Sequence, residues 1–156
     1  MSPSAPLTPM QLLGQLWRAD HALGRLSRQM LRRLGVTSPQ RLALRALASD
    51  PDLSAAGLAR ALHVDRSSVA GILRRLEEAG LVEPTPHPRD RRRFRLGLTA
   101  RGRAMDALEA GTVEAAVART LSGMPEEEQR VLARFLAAFT AELERERLAL
   151  LGEEGP

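Results

Sequence analysis

The stretch Asp65-Arg66-Ser67-Ser68-Val69-Ala70-Gly71-Ile72-Leu73-Arg74-Arg75-Leu76-Glu77-Glu78-Ala79-Gly80 runs directly into Leu81-Val82-Glu83-Pro84-Thr85-Pro86-His87-Pro88-Arg89-Asp90-Arg91-Arg92-Arg93-Phe94-Arg95-Leu96-Gly97-Leu98-Thr99. Two periods follow each other in it. In the first half Val69, Ile72, Leu73 and Leu76 fall at i, i+3, i+4 and i+7, one face of a helix that Asp65 can open and Gly80 can stop. In the second half Pro84, Pro86 and Pro88 forbid a helix, and Phe94, Leu96 and Leu98 alternate with Arg93, Arg95 and Gly97 at the strand period of two. The second half therefore predicts a β-hairpin with strands at 81–83 and 93–98 and a long basic tip.

Working outward, Ser54 can cap a short helix with Leu58, Ala61 and Leu62 facing inward, ending at His63. With the helix opened by Asp65 it makes a helix-turn-helix pattern. Further upstream, apolar residues recur from Met10 through Leu16, Trp17, Leu23 and Met30 to Leu34, predicting one long amphipathic helix that ends before Gly35. Ser38-Pro39 reads as an N-cap followed by Pro at the first helical position of a short second helix. Downstream, Thr99 caps a predicted single helix that buries Met105, Leu108, Ala115 and Leu121 and ends at Gly123. Pro125 then opens a last helix, with Glu126, Glu127 and Glu128 at the positive end of its dipole and Leu132, Phe135, Leu136, Phe139 and Leu143 as its core stripe. The fold class is thus mainly α with a small β-hairpin wing: a winged helix-turn-helix plus a helical dimerisation region. The expected domains are 1–34 as an N-terminal dimerisation helix, 38–99 as the DNA-binding module, and 99–151 as C-terminal dimerisation helices.

Composition narrows the function. The chain has 156 residues, and all 23 of its cations are Arg, with no Lys, Asn or Tyr; that bias looks like coding composition, so no single Arg can be read as chosen over Lys. With no Cys, disulfides, thiolate metal sites and thiol redox sensing are impossible. No stretch reaches the roughly 18 apolar residues of a membrane span, and the start lacks a signal peptide's basic and apolar segments. These readings predict a cytoplasmic, nucleoid-associated protein with no membrane contact. The formal charge of +4 divides unevenly: 7 Arg against 3 acids over residues 1–59, 11 against 5 over 60–103, and 5 against 11 over 104–156. A basic middle followed by an acidic tail fits a polyanion-binding module joined to a part that does not touch the polyanion; a merely solvated charged surface is the plainer alternative.

A helix-turn-helix followed immediately by a basic hairpin is the winged-helix order, in which the second helix enters the DNA major groove and the hairpin reaches phosphates or the minor groove. The face opposite Val69 and Leu76 presents Arg66, Ser67, Ala70, Gly71, Arg74 and Arg75. Arg66, Ser67 and Ser68 at the helix start are the candidates for base edges, with Arg74 for phosphate.

On these residues the chain resembles the MarR family of bacterial transcription regulators (multiple-antibiotic-resistance regulators). The likeness rests on Leu58-Ala59 before the turn, Val64-Asp65 opening the recognition helix, Leu76-Glu77-Glu78-Ala79-Gly80-Leu81-Val82 leading into the wing, the tip Pro88-Arg89-Asp90-Arg91-Arg92, and Leu98-Thr99-Ala100-Arg101-Gly102-Arg103. The resemblance implies a homodimer held by the first predicted helix and by the two that close the chain, the fifth and sixth. It implies two wings spanning a palindromic operator and release, in many members, by small phenolic or anionic ligands. It places DNA contacts at Arg66, Ser67, Ser68, Gly71 and Arg74 and on the wing at Arg89, Arg91, Arg92 and Arg93, and a bridge from Asp65 to Arg92, with Asp90 as competitor. Ala70-Gly71 stand where members often carry Thr-Arg. Ala70 and Pro84 also occupy places of polar ligand contacts in the salicylate-binding member.

Trp17, Arg18 and His21, with Arg75, are a candidate pocket for a small anionic or aromatic effector, against the plainer reading of Trp17 as core or interface filler. His21, His63 and His87 lack the spacing of a metal site, and no cofactor is expected. No nucleophile–base pair or phosphate loop appears, so no catalytic activity is expected. The expected function is a sequence-specific transcriptional regulator, of the repressor kind; the alternative class is an architectural protein that coats DNA without sequence preference.

Overall fold

The computed structural model describes residues 6–87 and 90–152, with side chains described through residue 86 and again from residue 95. In chain order the elements are α1 (Pro9–Leu34), α2 (Ser38–Ser49), α3 (Ala55–Leu62), α4 (Arg66–Glu78), β1 (Val82–His87), β2 (Asp90–Leu98), α5 (Ala100–Asp106), α6 (Val113–Ser122) and α7 (Glu126–Gly152).

Local chemistry sets most of the boundaries. Thr8 and Gln11 form a capping box ahead of Pro9, and Gly35 ends α1 in the left-handed region at φ 75°. The cap of α2 is Thr37 and not Ser38. The Thr37 hydroxyl accepts from the Gln40 N–H and the Gln40 side chain takes the Thr37 N–H at 2.7 Å, while Ser38 is already helical and donates its own N–H to Ser27 Oγ. Ser54 Oγ accepts from the Gly57 N–H to open α3, and Asp65 opens α4. Between them His63 holds φ 53°, a left-handed turn that a non-glycine residue rarely adopts.

The core gathers Ala43, Leu44 and Leu47 of α2, Leu58 and Ala59 of α3, Val69 and Leu76 of α4, and Leu81 and Val82 at the entry to the wing. Ile72, Leu73, Leu96, Leu98 and Met105 pack partly buried around it. Ala61, expected inside, is exposed, and Ala59 takes its place in the core.

The hairpin is longer than the sequence suggests. β1 and β2 pair antiparallel from Val82↔Leu98 through Pro84↔Leu96 and Pro86↔Phe94 to His87↔Asp90, so residues expected in the tip belong to the strands. Proline is tolerated here because Pro84 and Pro86 share parity. In a two-stranded ribbon, both missing N–H groups fall on the outer edge, where no ladder bond is lost.

The helix expected from Thr99 to Gly123 is two helices. α5 ends at Asp106, Gly111 adopts φ 74°, and Thr112 Oγ1 accepts from the Ala115 N–H at the start of α6. The carbonyls of Asp106 and Leu108 turn instead to Arg41 Nη2, at 3.0 and 2.7 Å, and Arg41 Nε pairs with Glu114. Arg41 is fully buried on α2, a position the sequence pattern treats as one more surface cation.

The described residues fall into two compact units, one ending at Ala116 and the other beginning at Val117. In the second unit Gln129 Nε2 donates to the carbonyls of Leu121 and Met124, fixing the turn from α6 into α7. The stripe expected to be core on α7 is not buried: the helix has no buried residue, and Leu132, Phe135, Leu136 and Leu143 are all exposed in the single chain.

Candidate nucleic-acid interface

The N-terminal turn of α4 is built around one carboxylate. Asp65 Oδ1 accepts from the Ser68 N–H at 2.8 Å and from Ser67 Oγ at 2.5 Å, and Oδ2 accepts from Ser68 Oγ at 2.8 Å. The Ser67 hydroxyl, followed by the Ser68 backbone and hydroxyl, holds the Asp65 carboxyl well below the usual carboxylate range, so it is ionised throughout the physiological range. Around it Arg66, Ser67, Ser68, Ala70, Arg74 and Arg75 are exposed, and Gly71 is half-buried with no atom within 4 Å of where a Cβ would stand. Arg74 Nε lies 3.8 Å from Glu78 one turn later, a solvent-exposed pair worth little by itself.

The wing is fixed to this helix at its base. Thr99 Oγ1 donates to the Gly80 carbonyl at 2.7 Å, the Thr99 N–H reaches the Leu81 carbonyl, and Arg101 Nη1 donates to the Ala79 carbonyl at 3.0 Å. The end of the hairpin is thereby tied to the end of α4. A second tie was not evident from the sequence: Arg95 Nη1 on β2 pairs with Asp52 Oδ1 at 2.9 Å, joining the wing to the turn between α2 and α3. Nothing local in the sequence selects Asp52 as the partner of Arg95.

Of the residues singled out for DNA, the structure brings Arg66, Ser67, Ser68, Gly71 and Arg74 together on one helix. Arg89, and the side chains of Asp90, Arg91, Arg92 and Arg93, lie outside the described residues, and so does the bridge from Asp65 to Arg92. Trp17, Arg18 and His21 line one shallow depression along α1 with Gly14, Gln15 and Arg25, and His21 Nδ1 donates to the Trp17 carbonyl at 2.8 Å. Arg75 is not part of that lining. Among the described residues there is no cluster of three His, Asp or Glu that could hold a metal ion, and no helix is long and apolar enough to cross a membrane.

The arrangement matches known proteins. The sequence profile of the MarR family matches residues 34–93, from the end of α1 into the second strand of the wing. The transcriptional repressor Rv2887 of Mycobacterium tuberculosis is 39% identical over 103 residues, 66% of this chain and 74% of the repressor. The chain belongs to the MarR family. A crystal structure of the M. tuberculosis MarR family protein Rv2887, in complex with p-aminosalicylic acid, is 34% identical, covers 85% of this chain and 99% of that one, and superposes with a TM-score of 0.55. The S. aureus MepR–DNA complex, at 24% identity, covers 84% of this chain and 97% of that one with a TM-score of 0.66, and shares the fold. This MarR protein is mainly α-helical with a two-stranded wing, as the sequence predicts, and its family and relatives are transcription regulators.

Proposed function

We propose that this MarR protein is a homodimeric, cytoplasmic repressor that binds a palindromic operator in double-stranded DNA and is released by a small anionic or aromatic effector. The observation that carries the DNA reading is the exposed N-terminal turn of α4, with Arg66, Ser67 and Ser68 in the open, on a helix whose C-terminal end Thr99 and Arg101 tie to the base of a basic wing. In this reading Arg66 and the serines meet base edges, Gly71 lets the helix approach closely, and Arg74, Arg89, Arg91, Arg92 and Arg93 neutralise phosphates. Asp65 has three bonds on its roughly four lone-pair sites, which leaves one site for the bridge to Arg92 in this reading.

Dimerisation is supported by apolar surface left uncovered within each unit. Trp17, Leu23 and Leu31 are exposed on α1, and Phe135, Leu136 and Leu143 on α7, where Phe135 stacks on Phe139 at 5.8 Å. A two-fold partner covers such a stripe with its own copy of it. Effector release is supported by the p-aminosalicylic acid complex of Rv2887 and by the depression at Trp17, Arg18 and His21, an indole beside two cationic or protonatable groups. A ligand acts by changing the spacing of two recognition helices that must lie about 34 Å apart to enter successive major grooves.

Binding to operator and to random DNA over a salt series tests this function. A repressor of this kind prefers its operator by about a thousandfold or more. Arg91→Ala weakens both DNAs and flattens the salt slope by about one, whereas Arg66→Ala erodes preference at one base pair. Equal affinity for random DNA would instead assign the architectural, non-specific class, and a monomer in sedimentation at micromolar concentration would refute the dimer.

A further inference from the structure

We infer that the hydroxyls of Ser67 and Ser68 serve as acceptors only, so that this recognition helix selects adenine or cytosine on the one strand whose base edge each of those two serines faces. The inference rests on the reading above, in which the start of α4 meets base edges. A serine hydroxyl in the major groove ordinarily discriminates little, because it has one proton to give and lone pairs to receive, and can turn to suit any base. Here that freedom is gone. Each hydroxyl spends its single proton on Asp65, Ser67 on Oδ1 and Ser68 on Oδ2.

The carboxylate cannot reverse either bond. It stays ionised at physiological pH, because the bonds that hold it favour the charged form, and an ionised carboxylate has no proton to give. Nor can it swing away without losing the Ser68 N–H bond that caps the helix. Both hydroxyls therefore turn lone pairs outward, polarised by a full negative charge behind them. In the major groove only adenine N6 and cytosine N4 offer amino hydrogens to such acceptors. Guanine and thymine present O6 and O4, acceptors that meet the serine lone pairs in repulsion. Arg66, one residue earlier and with donors only, has the opposite preference, for guanine.

Asp65→Asn separates the two serines. The amide oxygen keeps the place of Oδ1, because the Ser68 N–H and the Ser67 hydroxyl both need an acceptor there. The amide nitrogen then takes the place of Oδ2 and donates to Ser68 Oγ, which frees the Ser68 proton to point outward. Asparagine is as good an N-cap as aspartate, so the helix is retained. The experiment is selection and sequencing of bound duplexes from a randomised DNA pool, with the full-length wild type, Ser67→Ala, Ser68→Ala and Asp65→Asn, each checked for wild-type helicity by circular dichroism.

The expected result is that each serine-to-alanine variant loses selectivity at its own position, and that the wild type there favours adenine and cytosine together, on one and the same strand, by at least about fivefold over guanine and thymine. Asp65→Asn should shift the Ser68 position toward guanine or thymine and leave the Ser67 position unchanged. Since adenine or cytosine on one strand is thymine or guanine on the other, a wild type that accepts adenine and guanine alike, or adenine and thymine alike, at a serine-dependent position overturns the inference alone, as does selection that is unaltered in both serine variants or an unaltered Ser68 position in Asp65→Asn. A wild type that selects no sequence at all overturns the repressor reading, and the inference with it.

Discussion

Replacing Arg41 with alanine should be among the most damaging single changes in the module formed by α2 to α5. Arg41 is fully buried, its Nε pairs with Glu114, and its Nη2 holds the Asp106 and Leu108 carbonyls where the chain leaves α5 for α6. Truncation strands a carboxylate that is only 20% exposed, together with the Leu108 carbonyl, while the Asp106 carbonyl keeps its bond from Arg45 Nη1 at 3.3 Å. Removing one partner of a buried ion pair costs about 3–5 kcal/mol, and partial access of Glu114 to water brings the expectation to about 3–4 kcal/mol. Glu114→Gln keeps an acceptor for Nε and should cost about 1–2 kcal/mol. The pair is not fully satisfied, since Arg41 Nη1 and Glu114 Oε2 lack hydrogen-bond partners. Joint replacement by Met at 41 and Leu at 114 should therefore recover part of the loss. Urea denaturation at one fixed protein concentration measures all four proteins, because association shifts apparent stability. A loss below about 1 kcal/mol for Arg41→Ala, or an equal loss for Glu114→Gln, would refute a load carried by the buried charge pair.

Other changes have equally direct outcomes. Gly102→Ala places a Cβ 1.9 Å from the Leu81 carbonyl oxygen, so it should cost about 3 kcal/mol and lower the thermal midpoint by about 6–12 °C. Gly71→Ala meets nothing within 4 Å and should stabilise α4 by about 1 kcal/mol, while operator affinity falls if the helix needs that close approach to DNA. The folded Asp65 carboxyl titrates below its ordinary 3.8, so its contribution is present above that value and disappears as pH falls through the lower folded one. The difference in thermal midpoint between wild type and Asp65→Asn should stay constant from neutral pH to about pH 5 and narrow in stronger acid.

What the sequence determined by itself is what neighbouring residues decide among themselves. The end of α1 and the limits of α3 and α4 follow from Gly35, Ser54, Asp65 and Gly80, because an N-cap is a bond from a backbone N–H to a side chain three residues away and a glycine takes the left-handed stop on its own. The winged order and the face of α4 carrying Arg66, Ser67 and Ser68 were legible for the same reason: helix and strand periods are local. The tertiary structure alone decided the rest. The break between α5 and α6 depends on Arg41, 65 and 67 residues before the carbonyls it captures, and an all-Arg composition hides which Arg is buried. The tie from Arg95 to Asp52 spans 43 residues and leaves no periodic signal. The prolines of β1 are compatible with a strand only because the ribbon has an unpaired outer edge, a property of strand number and not of sequence. The apolar stripe of α7 is written plainly in the sequence, but periodicity shows that a face must be covered without showing what covers it.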